Sequence, residues 1–533
     1  MRKLTGVLGT LLALSLVAAA CGGDDSSTSG GTAGTSAGTN GSSPTTEESG
    51  AVGTTVATTG EAAESISIVL GSEPTSLDPH LVDDGGERAV NNNIYETLLF
   101  RTADGVLEPG LAVALPTQVD ELTWEFSLRE GVTFHDGTPF DSAAVVASIE
   151  RMVRLIGAET TDNAGYFSPL ARAEAVDPMT VRVLTSAPDG LLPSRMNWLR
   201  IVSADAAASD DITDAPNGTG PYRFVSREVG VAIELERNDA YWGAEPDVDA
   251  ITFGFVPEAG TRIAGVQSGA YDLMVNLSAN DREAVPNAAQ VAGIEHPILI
   301  LNTVEGITAD VKVRQALNLA VDKQAIVDAI YGGGATVDAG QVLSETILGF
   351  NDSLEAFPYD PDQAKQLLEE AGVAGQTIQI IGESGRWVND GDLLEAVASY
   401  WTAAGLQVDL QILEFSEWLD VFFDTESQPD VLFVSTSLDL LDPDKAATSI
   451  HSMNGLASGN DDAELAAMID EARSELDANR RDELYQQIMA SANEKAYFVW
   501  LVNTADIYGL GDRVTWTPRI DGLLLVKEMS VSG

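Results

Sequence analysis

The chain has 533 residues, more than one hydrophobic core normally supports, so two or more domains are expected. Its 82 Asp and Glu against 29 Lys and Arg give a formal net charge of −53. That excess disfavours nucleic acid and anionic membrane surfaces as direct partners, because phosphate binding needs clustered cations. With 44% apolar residues and a mean hydropathy of +0.02, most of the chain can fold as a soluble globule. The acidity alone does not name a cationic ligand, since acidic surfaces also serve solubility.

At the N-terminus, Arg2 and Lys3 precede a short apolar run over residues 4–20 that ends at Cys21, the one cysteine in the sequence. The run suits a signal peptide better than a membrane span. The stretch "VAAACGG" (17–23) resembles a bacterial lipobox, with Ala18 where the pattern prefers Leu. The resemblance implies cleavage after residue 20 and lipid on Cys21; a secretory peptide leaving a free thiol is the other reading. Residues 21–63 are Gly, Ser and Thr with almost no large apolar side chain, the composition of a flexible tether.

From residue 64 the pattern alternates as a strand does, over 64–74 and again over 122–134, 179–186, 222–226, 231–238 and 250–256. Within "GVTFHDGTPF" (131–140), His135 beside Asp136 invites a catalytic reading. However, Asp136-Gly137 is a tight-turn signal, and Asp141 can cap a helix whose first turn packs Phe140 against Val145. Helical spacing follows over 310–334, closed by glycines, and over 360–372, opened by Asp360 and Pro361 and stopped by Gly372. Residues 462–496 read as two amphipathic helices. Strands and helices mix throughout, so the class is α/β with some α+β character.

Catalytic motifs are absent from the sequence. His80, His135, His296 and His451 are scattered, and none pairs at a metal-ligand spacing. No nucleophile elbow, phosphate loop or dinucleotide fingerprint occurs, and the glycines of 331–336 follow a helix rather than a strand. No catalytic residue, metal or cofactor is assigned.

Seven segments in order carry a resemblance: 76–100, 124–152, "GTGPYRF" (218–224), "RNDAYWG" (237–243), 262–274, 301–326 and "YDPDQAKQLLEEAG" (359–372). Together they resemble the extracytoplasmic solute-binding proteins of ABC importers, the family 5 group that includes dipeptide, oligopeptide and nickel receptors. The resemblance implies a two-lobed α/β periplasmic-binding-protein type II fold with hinge strands and a subdomain inserted in the first lobe. The first lobe is then expected at 64–300, with the insertion at about 105–215, completed by 498–533; the second lobe is expected at 301–497. The hinges are expected near 298–302 and 498–502.

By that likeness the ligand lies between the lobes. In "STSLDLLDPDKAATSI" (435–450), Asp442 before Pro443 has a local task as a helix cap, whereas Asp439 has none. The resemblance implies that Asp439 binds a peptide α-ammonium; a solvated loop carboxylate is the alternative. The dipeptide receptors place a Trp in this loop where Thr436 stands here. Ser435 and Ser437, with Gly85 of the facing loop, are candidates for backbone pairing with an extended ligand, against a reading of Gly85 and Gly86 as a turn. Arg386 can take a ligand carboxylate, with Trp387 lining the pocket, or simply be solvated. Tyr95, Trp401 and Trp418 are walls of the site or parts of the core.

The expectation is a monomeric receptor, lipid-anchored through Cys21 on the extracytoplasmic face of the cell membrane. It hands a small solute, a peptide first, to ABC permease subunits. A non-peptide ligand such as an oligosaccharide or chelated nickel, a surface sensor without a transporter, and a secreted hydrolase are the competing readings.

Overall fold

The alternation at the start of the folded chain becomes the strand Ser65–Leu70, in which Ile66, Ile68 and Leu70 enter one apolar cluster and Val69 another. The structure, a computed structural model, describes residues 64–532 apart from 162, 210, 385, 425–427 and 456–458. The expected signal peptide, Cys21 and the tether lie outside the described residues.

Among the described residues the strands form two large sheets. The first runs in the order Asn287–Ala292, Val502–Leu510, Leu273–Met274, Ser65–Leu70, Ala250–Phe255, Ala232–Arg237, Tyr222–Glu228, with Ala335–Val337 also paired to Val502–Leu510. The second runs Gln407–Leu413, Thr377–Glu383, Val431–Ser437, Glu295–Leu301, Phe498–Trp500. It mixes parallel pairing of Thr377–Glu383 with antiparallel pairing of Glu295–Leu301 to both its neighbours. Apolar clusters cover both faces of this sheet, with Phe433 and Leu299 on one side and Trp500 and Leu432 on the other. A strand buried on both faces needs a near-continuous apolar run, which "ILIL" (298–301) and "FVW" (498–500) supply. The two runs expected as hinges therefore both pair inside the second sheet. The chain changes sheets at about 293–294 and 501, a few residues from the expected 300 and 498.

A separate four-stranded sheet, in the order Thr117–Asp120, Thr123–Ser127, Thr180–Thr185, Leu170–Asp177, packs with the helix Ser142–Gly157 around its own core of Phe126, Ile149 and Val181. All its strands fall between residues 105 and 215. The helix starts as the sequence dictates. Asp141 accepts from the N–H groups of Ala143 and Ala144, and Phe140 and Val145 share that core. The preceding His135 and Asp136 make the turn. Asp136 accepts from the N–H and hydroxyl of Thr138, Gly137 takes a φ of 85°, and His135 Nε2 lies 3.0 Å from the Gly220 carbonyl.

The helical patterns resolve into Val311–Leu319 and Lys323–Ala329, then Pro361–Glu370, Ala463–Ser474 and Ala478–Glu494. Asp310, Asp322, Asp360, Asp462 and Asp477 cap them in turn. Of the region 122–134 only Thr123–Ser127 is strand. Within "GTGPYRF", Gly218 and Gly220 lie against the backbone of Asn93 and Ile94, so close that a Cβ on Gly220 would sit 2.6 Å from the Ile94 carbonyl oxygen. No helix among the described residues is long and apolar enough to cross a membrane.

Candidate functional site

A cavity of about 320 Å³ opens where the two large sheets meet. The helix Gly85–Ile94 presents its first turn to it, and Tyr508 and Asp506 reach it from the strand Val502–Leu510. Glu295, Ser437 and Asp439 face it from the second sheet and the loop that follows. Gly85 and Gly86 do not form an isolated turn. They open the helix, capped by Asp84, whose carboxylate accepts from Gly86 and Glu87 at 2.7 and 3.2 Å. A side chain on Gly85 would meet nothing within 4 Å, so its backbone borders open space.

Asp439 is buried and has a task the local sequence did not disclose. Its carboxylate accepts from Arg88 Nη1 at 3.1 Å, Tyr166 Oη at 2.7 Å, Ser437 Oγ at 2.9 Å and Lys445 Nζ at 2.5 Å. Burial would raise the carboxyl, but Lys445 and Arg88 outweigh it and hold Asp439 well below the usual carboxylate range. Tyr166, half-buried and facing that charge, is pushed up to about 12. Arg88 is steadied from behind: it lies 3.3 Å from Asp83 and 4.7 Å over the ring of Trp198. Asp83 in turn binds Arg200 at 3.0 Å and Trp198 Nε1 at 2.7 Å. Lys445 is the loose member, its side chain 46% exposed.

The rest of the cavity is acidic. Asp84, Glu295, Asp506 and Asp521 line it along with Asp439, and Arg88 is the cation among its lining residues. Asp84 caps its helix and Asp521 holds Arg519 at 2.7 Å. Glu295 accepts from Ser435 Oγ at 2.6 Å. Asp506 stands apart, because no donor among the described residues reaches its carboxylate. Burial, with the charge of Glu295 adding, pushes it up to about 6.

The structure thus gathers Gly85, Ser437 and Asp439 on one cavity and places Ser435 behind it, supporting Glu295. Arg386 and Trp387 do not line that cavity. Arg386 is exposed, 4.7 Å over the ring of Phe415, and Trp387 packs edge-on against Trp418 and Phe433. Tyr95, Trp401 and Trp418 are core. Asp442 does accept from the Asp444 N–H, but its main partner is Arg481, gripped at 2.6 and 2.7 Å. Sequence reasoning missed Arg88, Tyr166, Lys445, Glu295 and Asp506. The one signal within reach was Asp506, the single charged residue of the strand "VNTADIYGL" (502–510). No group of three or more His, Cys, Asp or Glu among the described residues is arranged to hold a metal ion.

Two sheets joined by crossing strands, with a polar cavity where they meet, are the build of a two-lobed binding protein. The chain belongs to the bacterial extracellular solute-binding proteins of family 5, the receptors of ABC importers, whose description ("family 5 Middle") it matches over residues 106–457. It is 28% identical over 485 residues to heme-binding protein A of Haemophilus influenzae, spanning 83% of this chain and 87% of that one. It is 27% identical over 469 residues to the dipeptide-binding protein of Escherichia coli, spanning 79% and 86%. In fold it is similar to HbpA2 of Haemophilus parasuis, with a TM-score of 0.80 and 24% identity over 88% of this chain and all of that one.

Proposed function

We propose that the solute this receptor captures is a short peptide, held in the acidic cavity with its α-ammonium on Asp439. The observation that carries the reading is the convergence of Gly85, Ser437 and Asp439 on one cavity lined from both sheets. Lys445 already sets an ammonium on Asp439, next to the Tyr166 hydroxyl, and its half-exposed side chain can swing away. A peptide α-ammonium is the same group and takes its place, while Arg88 stays fixed between Asp83 and Asp439. Asp506 and Glu295 add negative potential for a cationic ligand, and the Gly85 and Ser437 backbones flank an extended chain. The likeness to a dipeptide-binding protein agrees with this chemistry.

In this reading the first lobe is 64 to about 293 with about 501 to 533, the second lobe is the stretch between, and closure of one on the other is what the permease subunits recognise. The receptor is a monomer tethered by lipid on Cys21 at the outer face of the membrane, and it catalyses nothing. Its test is a thermal-shift panel of di- to pentapeptides, free amino acids, sugars, haem and nickel chelates. Peptides are expected to give the saturable upward shift. A saturable shift from a sugar, haem or a chelate, with none from any peptide, overturns the assignment.

A further inference from the structure

The carboxylates of the cleft do not all have a cation. Asp439 shares Arg88 and Lys445, Asp521 is held by Arg519, and Asp84 sits on the N-terminus of its helix. Glu295 and Asp506 remain. Glu295 gives Oε2 to the Ser435 hydroxyl, a neutral donor, and its Oε1 has no partner among the described residues. Asp506 accepts from no donor among them. Arg88, the cation in the lining, is committed to Asp83 and Asp439. Two carboxylates therefore face the cleft with no cation set against them.

Side chains alternate along a strand, so Thr504, Asp506 and Tyr508 share one face of Val502–Leu510. Thr504 donates its hydroxyl to the Glu295 carbonyl at 3.3 Å, which ties that face to the start of Glu295–Leu301. Asp506 and Tyr508 line the cavity, while Ile507 turns into a separate apolar cluster. Tyr508 is only 5% exposed, yet its hydroxyl has no hydrogen-bond partner among the described residues. None of the four partnerless atoms, both Asp506 oxygens, Glu295 Oε1 and Tyr508 Oη, is sealed inside the protein. Gly522, also in the lining, would set a Cβ 3.4 Å from Asp506 Oδ2, so that oxygen borders the open space. Register puts the group within reach of Asp439. Ser437 stands opposite Glu295 in the strand pairing, and Asp439 follows two residues on. Two residues of extended chain span about 7 Å, so a peptide anchored at Asp439 and lying along Ser437 passes Glu295 with its first residues.

We propose that Asp506, Glu295 and the Tyr508 hydroxyl form a second cation subsite of the cleft, which selects peptides with a lysine or arginine side chain near the amino terminus and rejects acidic side chains. The side-chain cation sits on the two carboxylates and donates to Tyr508 Oη, while the α-ammonium rests on Asp439. This subsite rests on the peptide reading of the cleft and adds to it the class of peptide.

The test is a calorimetric titration of the intact protein with trialanine in which lysine, norleucine or glutamate replaces each residue in turn. At one position or more, lysine is expected to bind at least about tenfold tighter than norleucine, the gain of a charge-assisted bond, and glutamate at least about tenfold weaker. Asp506→Asn and Tyr508→Phe, each with the circular dichroism of the parent, are expected to shrink the ratio of lysine to norleucine affinity, the first at least about fivefold. A proton count adds a readout that a merely structural role would not move. Burial and the charge of Glu295 push Asp506 up to about 6, and an arriving cation lowers it. At pH 6 the lysine peptide should therefore release about half a proton that the norleucine peptide does not, as titrations in two buffers of different ionisation enthalpy would show. Norleucine peptides as tight as lysine peptides at every position, glutamate peptides as tight as lysine ones, or a lysine advantage that both substitutions leave intact would each overturn the subsite and leave the Asp439 anchor standing. Binding of no peptide at all overturns both.

Discussion

Replacing Asp439 by Asn keeps the shape of the side chain and removes the charge that Arg88 and Lys445 share. The cost can be built from the contacts. Arg88 keeps Asp83, so its loss is partial, while Lys445 is half-exposed and rehydrates, so its bond counts as a surface pair of at most ~1 kcal/mol. Tyr166 and Ser437 donate to different oxygens, so only one of them keeps its bond to the single amide oxygen, and to a neutral acceptor; a charge-assisted bond is worth roughly 1 kcal/mol more than a neutral one. The sum is a destabilisation of about 2–3 kcal/mol at neutral pH. Chemical denaturation monitored by tryptophan fluorescence reads it directly. Because the folded carboxyl lies below its unfolded value, the stabilisation is fully present above the unfolded value and is lost as pH falls through the folded one. The gap between parent and variant should therefore be constant from about pH 8 to 5 and close only below about 4. A double-mutant cycle with Lys445→Met should return a coupling of ~1 kcal/mol or less. A loss under ~0.5 kcal/mol at pH 7, or one that persists unchanged at pH 3, would refute the charge account.

The sign reverses at Asp506, whose carboxyl is raised to about 6, so its ionisation costs stability as pH rises from about 4 to 6. Asp506→Asn should stabilise the protein by about 2 kcal/mol at pH 8, with the gain gone near pH 4 and weaker binding of cationic peptides, as thermal melts and calorimetry at both pH values would show. Asp78, fully buried and gripped by Arg151 at 2.9 and 2.5 Å, takes a bidentate ion pair out of the core if changed to Ala; a loss of about 3–5 kcal/mol in denaturation is expected. Gly218→Ala drives a methyl group into the carbonyl of Ile94 and should cost about 1–3 kcal/mol or more in the same experiment. Lys445→Met removes the in-chain ammonium from Asp439 and should tighten peptide binding in a titration, whereas Asp439→Asn should loosen it at least tenfold, a loss of about 1.4 kcal/mol.

Much of the fold is written in local pattern. The Asp caps at 141, 360 and 462, the two buried runs at 298–301 and 498–500, and the turn at Asp136-Gly137 all follow from short-range chemistry. The site is legible only in part, because its electrostatics join residues far apart in the chain. Asp439 draws Arg88 across 351 positions and Tyr166 across 273, contacts that no periodicity encodes. Arg386 misled for the opposite reason. A cation in a cation-poor chain invites a ligand role, yet it spends its guanidinium on the Phe415 ring outside the cavity. Asp442 was expected to cap a helix with Pro443 as its first residue; the helix instead begins at Asp444 with Pro443 at its cap, Asp442 keeps only a local bond from the Asp444 N–H, and its buried grip on Arg481 belongs to tertiary packing.

The proposed peptide receptor has to recognise a free amino terminus. The most direct measurement of this is a calorimetric titration of the intact protein with a tripeptide and with the same tripeptide N-acetylated. The free peptide should bind saturably, and the acetylated one, which cannot replace the Lys445 ammonium on Asp439, should bind at least tenfold more weakly. Equal affinity for the two peptides would contradict the assignment of Asp439 as the anchor.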